Sequence, residues 1–155
     1  MSKQDRQGVR TPSDVERKYN LGEIMQRVSE LEKGLGGAEE DREHPGCYYR
    51  TVNGQREWWN PPMVLGEEYR TTERWRGLPV YRKYCYLGVT SAGSVTLDHG
   101  ITDFSGCLEI QLTDGSHQNI THHSNIKDLH VIGAGVYITA EMAQTIYATI
   151  WYTKT

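Results

Sequence analysis

Hydrophobic residues recur at two different periods along the chain. In the N-terminal part they are spaced three and four residues apart, which is the heptad spacing of a helix that packs against partner helices. The residues of this seam are Leu21, Ile24, Val28, Leu31 and Leu35. Later in the chain, short β-prone runs alternate with turn residues, as in a β-sandwich. The sequence therefore predicts a mainly β protein in which a short, coiled-coil-like N-terminal helical segment precedes an antiparallel β-sandwich.

The seam predicts oligomerisation of the helical segment. It covers about two heptads, and an isolated helix of that length is only marginally stable in water. The same stripe would also suit a helix packed on its own domain, and its residue types do not decide between two, three and four strands. A glycine-rich stretch and an acidic run end the helix. We divide the chain into a helical oligomerisation and attachment segment (residues 1–37), a linker with an aromatic hairpin (38–62) and a distal β-sandwich domain (63–155).

A β-hairpin is predicted around Asn53-Gly54, because this dipeptide favours a two-residue turn between strands. The turn places Val52 opposite Gln55, Arg50 opposite Glu57, Tyr49 opposite Trp58 and Tyr48 opposite Trp59. One ion pair and two aromatic pairs across the strands agree with this register. A second hairpin is predicted at Gly133-Ala134-Gly135.

Two further strands are predicted from their alternation. In residues 107–113, Leu108, Ile110 and Leu112 share one face, which we expect to be buried. In residues 145–154 both faces carry apolar bulk, so this strand is either central in a sandwich or presents one face to another subunit. Its two faces are Ile146, Ala148, Ile150 and Tyr152, and Tyr147, Thr149, Trp151 and Thr153.

Composition adds an expectation about assembly. Hydrophobic residues make up 37% of the chain, with one Phe but ten Tyr and four Trp, and these amphipathic aromatics suit interfaces. We therefore expect neighbouring copies to complete the core. The net charge is −3, and the sequence contains no basic patch of the kind that nucleic-acid binding needs. We therefore expect no nucleic-acid binding. No apolar run is long enough to span a bilayer, and the N-terminus has no apolar stretch that would serve as a secretion signal. The three cysteines cannot all pair within one chain, so we favour free thiols over a disulfide.

Four segments resemble structural proteins of bacteriophages of Gram-positive bacteria, in particular the distal β-domains of tail-fibre and head-fibre proteins. They are residues 8–22 (GVRTPSDVERKYNLG), 59–81 (WNPPMVLGEEYRTTERWRGLPVY), 95–101 (VTLDHGI) and 148–155 (ATIWYTKT). The resemblance implies a trimeric virion subunit, made in the host cytoplasm, that contacts a host cell-surface glycan or protein. It also implies that the N-terminal segment binds other phage structural proteins. Residues 36–58 and 114–130 lie outside the resemblance.

The hairpin aromatics Tyr48, Tyr49, Trp58 and Trp59 are the candidate ligand-binding residues. Aromatic rings stack on sugar faces, which suggests a second hypothesis: a carbohydrate-binding module that works independently of oligomerisation. The same side chains would also suit packing on the domain or between subunits.

No catalytic, metal or cofactor site is predicted. His117, His122, His123 and His130 lie close in sequence, and one histidine from each chain could hold a metal on a three-fold axis. We favour polar loop histidines over a metal site or a pH switch. Asp98, Asp103, Glu109 and Asp114 are candidate carboxylates for a glycan depolymerase, but no motif pairs them. We therefore expect a non-enzymatic protein.

Overall fold

A computed structural model describes residues 37–155 of the chain. The predicted helical seam, Leu21, Ile24, Val28, Leu31 and Leu35, lies outside the described residues. Residues 39–155 form one compact unit, and residues 37–155 contain no helix. The strands are β1 (Glu39–Glu40), β2 (Tyr48–Val52), β3 (Gln55–Trp58), β4 (Glu68–Trp75), β5 (Leu78–Val89), β6 (Gly93–Asp98), β7 (Phe104–Thr113), β8 (Ile126–Ile132), β9 (Gly135–Ala140) and β10 (Thr145–Lys154).

The strands form two open sheets. One has the order β1-β2-β3-β4-β5-β10-β7, and the other has the order β6-β9-β8. Side chains of both sheets meet in one apolar cluster, so the described unit is all-β and sandwich-like. The hairpin of residues 38–62 is continuous with the larger sheet.

One strand pair departs from the predicted antiparallel arrangement. β3 and β4 pair in parallel, with Trp58 opposite Thr71, whereas the other neighbouring strands are antiparallel. The physical reason is the connection between them. The two prolines at 61 and 62 prevent a tight hairpin because proline lacks the N–H that a ladder requires. The connection between the end of β3 and the start of β4 is therefore a longer loop, residues 59–67. This loop lets β4 lie beside β3 and run in the same direction.

The core is built around β10, which lies between β5 and β7. Its inward residues Ile146, Ala148, Ile150 and Tyr152 are fully buried. They pack in one cluster with residues of β9 from the smaller sheet. Full burial of one such isoleucine contributes about 1.5–3 kcal/mol. Of the two alternatives predicted for this strand, the structure shows the central position.

Both predicted hairpins are confirmed. Asn53 and Gly54 have φ values of 51° and 77°, the left-handed conformations that a type I′ turn requires. The register pairs Tyr49 with Trp58 and Arg50 with Glu57. At the second hairpin, Ile132 lies opposite Gly135.

The predicted burial of Leu108 is wrong. Strand β7 contains a β-bulge, in which Trp151 pairs with Glu109 while Tyr152 pairs with Cys107. The extra residue shifts the alternation, so Leu108 is exposed and Cys107 packs against the core. Beyond the bulge the prediction is correct, and Leu112 is fully buried.

Candidate functional site

The four predicted ligand-binding aromatics divide between buried and accessible positions. Tyr49 and Trp58 are only 8% and 6% exposed, and they form a second small core with Tyr69. The Trp58 ring centre lies 5.0 Å from that of Tyr49 and 5.6 Å from that of Tyr69. Tyr48 is 42% exposed and Trp59 is half-buried. The four therefore do not form one exposed stacking surface.

A cleft of about 350 Å³ borders the hairpin, and we call it the hairpin cleft. Its lining consists of Asp41, Glu43, His44, Arg56, Trp58, Pro62, Val64, Glu67 and Tyr69. The Arg56 guanidinium carbon lies 4.0 Å from the centre of the Tyr49 ring. His44 Nδ1 and Asp41 Oδ2 are 2.6 Å apart, and this hydrogen bond lowers the pKa of the Asp41 carboxyl. Aromatic walls with a polar rim suit a small polar molecule that has one apolar face.

The opposite face of the hairpin carries a charged group that we call the arginine cluster: Arg50, Arg70 and Arg74 around Glu57. Arg50 Nε and Nη2 donate to Glu57 Oε1 at 3.2 and 3.0 Å. Arg70 Nε and Arg74 Nη2 donate to Glu57 Oε2 at 2.8 and 2.6 Å. The Glu57 side chain is 0% exposed, so its carboxylate is enclosed by the three cations.

The arginine cluster keeps its carboxylate ionised. Burial alone would raise the pKa of Glu57, but hydrogen bonds from Arg70, Arg74 and Arg50 hold that pKa below its ordinary value. The hydrogen bond to Glu57 in turn raises the pKa of Arg70. The Glu57 carboxylate is therefore ionised at neutral pH, and three guanidinium groups around one carboxylate leave a surplus of positive charge.

The sequence predicts only one contact of this cluster, the pair Arg50–Glu57. Arg70 and Arg74 reach the carboxylate because β4 lies beside β3, and that adjacency depends on the parallel pair Trp58–Thr71. The two arginines are four residues apart along one strand, a spacing that favours the same face, and both reach Glu57 although the register with β5 shifts between them. This spacing is the signal that could have found them.

A third surface lies on the outer face of β5 and β10, and we call it the aromatic surface. Its members are Tyr84, Tyr86, His117, Tyr147 and Trp151. The Tyr147 ring centre lies 5.7 Å from that of Tyr84, 5.3 Å from that of Tyr86 and 5.4 Å from that of His117. Tyr86 and His117 are exposed, and the others are half-buried. The second apolar face predicted for residues 145–154 is thus part of a wider aromatic surface.

His99, which the sequence did not single out as a functional residue, has a structural role. Its ring is buried; Nε2 donates to the Gly133 carbonyl at 2.9 Å, and Nδ1 accepts from the Ile101 N–H at 3.1 Å. These two bonds fix one neutral tautomer and join the turn after β6 to the β8–β9 hairpin.

The candidate carboxylates and the other histidines are dispersed. Asp98 and Asp114 accept backbone N–H groups in turns, which is a structural use. His130 stacks on Tyr137 with ring centres 4.7 Å apart. Among residues 37–155, no three metal-ligating side chains converge. Cys47, Cys85 and Cys107 are free thiols.

The described part of the chain contains no helix that could cross a bilayer. Comparison of the chain with protein-family models, curated proteins and solved structures found no match. We therefore infer function from the geometry of the hairpin cleft, the arginine cluster and the aromatic surface, together with the sequence.

Proposed function

We propose that this chain is a virion structural protein of a bacteriophage, a fibre, tail-tip or surface-decoration subunit that helps assemble the particle and attaches it to the host surface. The phage-like sequence segments support the class of protein. The observation that carries the proposal is the aromatic surface, which lies on a rigid sheet and offers rings to a partner. The proposed assembly is a homotrimer of sandwich-like domains, with the N-terminal segment attached to other phage proteins.

The aromatic surface supports assembly through its composition. Tyrosine and tryptophan are enriched at protein interfaces because they bury a large area while their polar atoms remain hydrogen-bonded. Tyr84 and Tyr147 are already stacked, with an angle of 19° between their planes. Little side-chain entropy is therefore lost when a second copy covers them. In our proposal, this surface and the N-terminal seam together hold three copies.

The mass of the full chain in solution tests the assembly. We expect light scattering to give three times 17.7 kDa at micromolar concentration. Replacing Tyr84, Tyr86 and Tyr147 by Ser should shift the mass towards that of one chain. The control is Trp75→Ser, which removes an aromatic that is 50% exposed and lies outside this surface. A full chain that stays monomeric would contradict the proposed trimer.

Attachment to the host is tested separately. Labelled full chain should bind host cells, and its apparent affinity should exceed that of a monomeric variant, because three linked weak sites act together. A folded wild-type chain that does not bind host cells would refute host-surface attachment.

A second candidate function is a carbohydrate-binding module, and the hairpin cleft favours it. Trp58 and Tyr69 provide aromatic walls, while Arg56 and Glu67 supply polar groups that could bond to hydroxyls. Because Trp58 belongs to a core, the appropriate variants are Arg56→Ala and Glu67→Gln, with circular dichroism to verify folding. Loss of glycan binding in these variants, without a change of oligomeric state, would favour this function. Unchanged glycan binding would exclude the hairpin cleft.

A further inference from the structure

The arginine cluster contains more positive charge than its carboxylate requires. One bidentate guanidinium would neutralise Glu57, whereas three converge on it. The cluster therefore holds two surplus positive charges on a chain whose net charge is −3. Like charges at this separation repel each other, so the surplus charge offsets part of the stabilisation that the hydrogen bonds to Glu57 provide.

Among the described residues, many of the hydrogen-bond donors of the cluster have no partner. Each guanidinium carries five N–H donors, and the three groups make seven hydrogen bonds among the described residues. About half of the donors thus have no partner within residues 37–155. The three side chains are between 28% and 36% exposed, so the cluster lies partly at the protein surface, where a ligand can reach it.

The cluster is also held in place before any ligand arrives. Glu57 is buried and fixes one side of each guanidinium, and Arg74 Nη1 donates to the carbonyls of Thr71 and Glu73 at 3.2 and 2.9 Å. Arg70 Nη1 donates to the Gln55 amide oxygen at 3.3 Å. Donors oriented in this way lose little entropy on binding.

We propose that the arginine cluster binds an oxyanion, a carboxylate or a phosphate diester, carried by an acidic polysaccharide of the host surface. Guanidinium groups match the geometry of both oxyanions. Trp59 supports a saccharide, because its ring centre lies 5.7 Å from the Arg50 guanidinium carbon and could contact a sugar next to the bound oxyanion. This inference rests on the proposed attachment to the host surface.

Binding is measured by titration calorimetry of the full chain with two acidic polymers and one neutral polymer. The probes are polygalacturonate for the carboxylate, poly(glycerol phosphate) for the phosphate diester, and dextran. We expect at least one acidic polymer to bind, with an affinity that falls as salt is added, and we expect no binding to dextran. If only one of them binds, that polymer identifies the oxyanion; if both bind, the site accepts either oxyanion.

Two variants locate the site. Arg50→Gln and Arg74→Gln should each weaken binding of the acidic polymer about tenfold or more, because each removes charge-assisted hydrogen bonds. The matched control is Arg76→Gln, an exposed arginine outside the cluster, which should leave the affinity unchanged. If a Gln variant does not fold, Arg50→Lys keeps the charge and should still weaken binding, since lysine cannot bond in the bidentate manner.

Failure of this inference differs from failure of the proposed function. A chain that attaches to host cells but binds neither acidic polymer would overturn the oxyanion site and leave attachment standing. Equal weakening by Arg76→Gln would also overturn it, because the effect would then be one of general charge. Equal affinity for a single-stranded oligonucleotide would overturn the assignment to a polysaccharide.

Discussion

Replacing Glu57 by Gln tests how one buried carboxylate holds three arginines. The carboxylate accepts four hydrogen bonds from the three guanidinium groups. Glutamine has nearly the same shape, but it offers only one acceptor oxygen. Its NH₂ group would face the N–H groups of the arginines, so donors would meet donors. The guanidinium groups lose their counter-charge while their mutual repulsion remains.

The magnitude follows from burial. Removing one partner of a fully buried ion pair costs about 3–5 kcal/mol. Here the carboxylate is buried, but the arginine side chains are between 28% and 36% exposed and can turn towards water. The lower end of the range therefore applies. We expect Glu57→Gln to reduce the free energy of unfolding by about 3 kcal/mol, which lowers the Tm of a domain of this size by roughly 10 °C.

Urea denaturation at pH 7, followed by tryptophan fluorescence, measures the loss. The control is Glu73→Gln. The Glu73 carboxylate lies 2.6 Å from Arg82 Nη2, but it is 49% exposed, so its loss should cost less than about 1 kcal/mol. Equal losses in the two variants would refute the reasoning.

The pH dependence provides an independent check. Because the pKa of Glu57 is lower in the folded chain than its ordinary value of 4.5, its contribution to stability is fully present above that value. It is lost as pH falls through the folded pKa. The difference between wild type and Glu57→Gln should therefore be constant from pH 7 to about pH 5.5 and should narrow below about pH 4.5. A difference that grows on acidification would contradict the assigned sign.

Three smaller predictions concern the core. Tyr152→Phe removes a buried hydroxyl that donates to a carboxylate of β4 and should cost about 2 kcal/mol in urea denaturation; no measurable loss would contradict it. Gly135→Ala places a Cβ 2.5 Å from Thr96 Cγ2 and should lower the free energy of unfolding by about 1–3 kcal/mol. The control is Gly115→Ala, whose Cβ would lie 3.7 Å from its nearest atom, and it should leave the free energy of unfolding unchanged. Burial raises the pKa of the Cys85 thiol to about 11, so iodoacetamide at pH 8 should label it only after denaturation; labelling of the native chain, read by peptide mass spectrometry, would contradict this.

Short-range features of the fold follow from the sequence. The Asn53-Gly54 turn fixes its own backbone and thereby the register of both flanking strands. The last strand is equally clear, because its two faces alternate without interruption over residues 145–152. The alternation then breaks, and Thr153, which was predicted to share the face of Tyr147 and Trp151, is buried. In both cases the information lies within a few consecutive residues, so no knowledge of distant partners is needed.

Features that depend on distant partners do not follow from the sequence. The bulge at Leu108 arises where β7 pairs with β10, some forty residues later in the chain, and nothing local marks the extra residue. The arginine cluster depends on the parallel pairing of β3 and β4, which local turn chemistry does not specify. Burial of Trp58 follows from the same pairing, since Tyr69 of β4 covers its ring.

The unequal size of the two sheets bears on why the chain is rich in tyrosine and poor in aliphatic residues. Seven strands lie opposite three, so the smaller sheet covers only part of one face of the larger sheet. The remaining area must be compatible with water or be covered by another molecule. Where β2, β3 and β4 extend the larger sheet, arginines surround Glu57 on one face. On the outer face of β5 and β10, tyrosines are present where aliphatic residues would otherwise need to be covered. A tyrosine-rich, aliphatic-poor composition is thus compatible with a chain that has a complete core of its own. It is equally compatible with a chain whose core is completed by neighbouring copies. The two explanations differ in one measurable respect. Only if neighbouring copies complete the core does burial of the aromatic surface between them stabilise the β-domain. In that case its Tm rises with protein concentration.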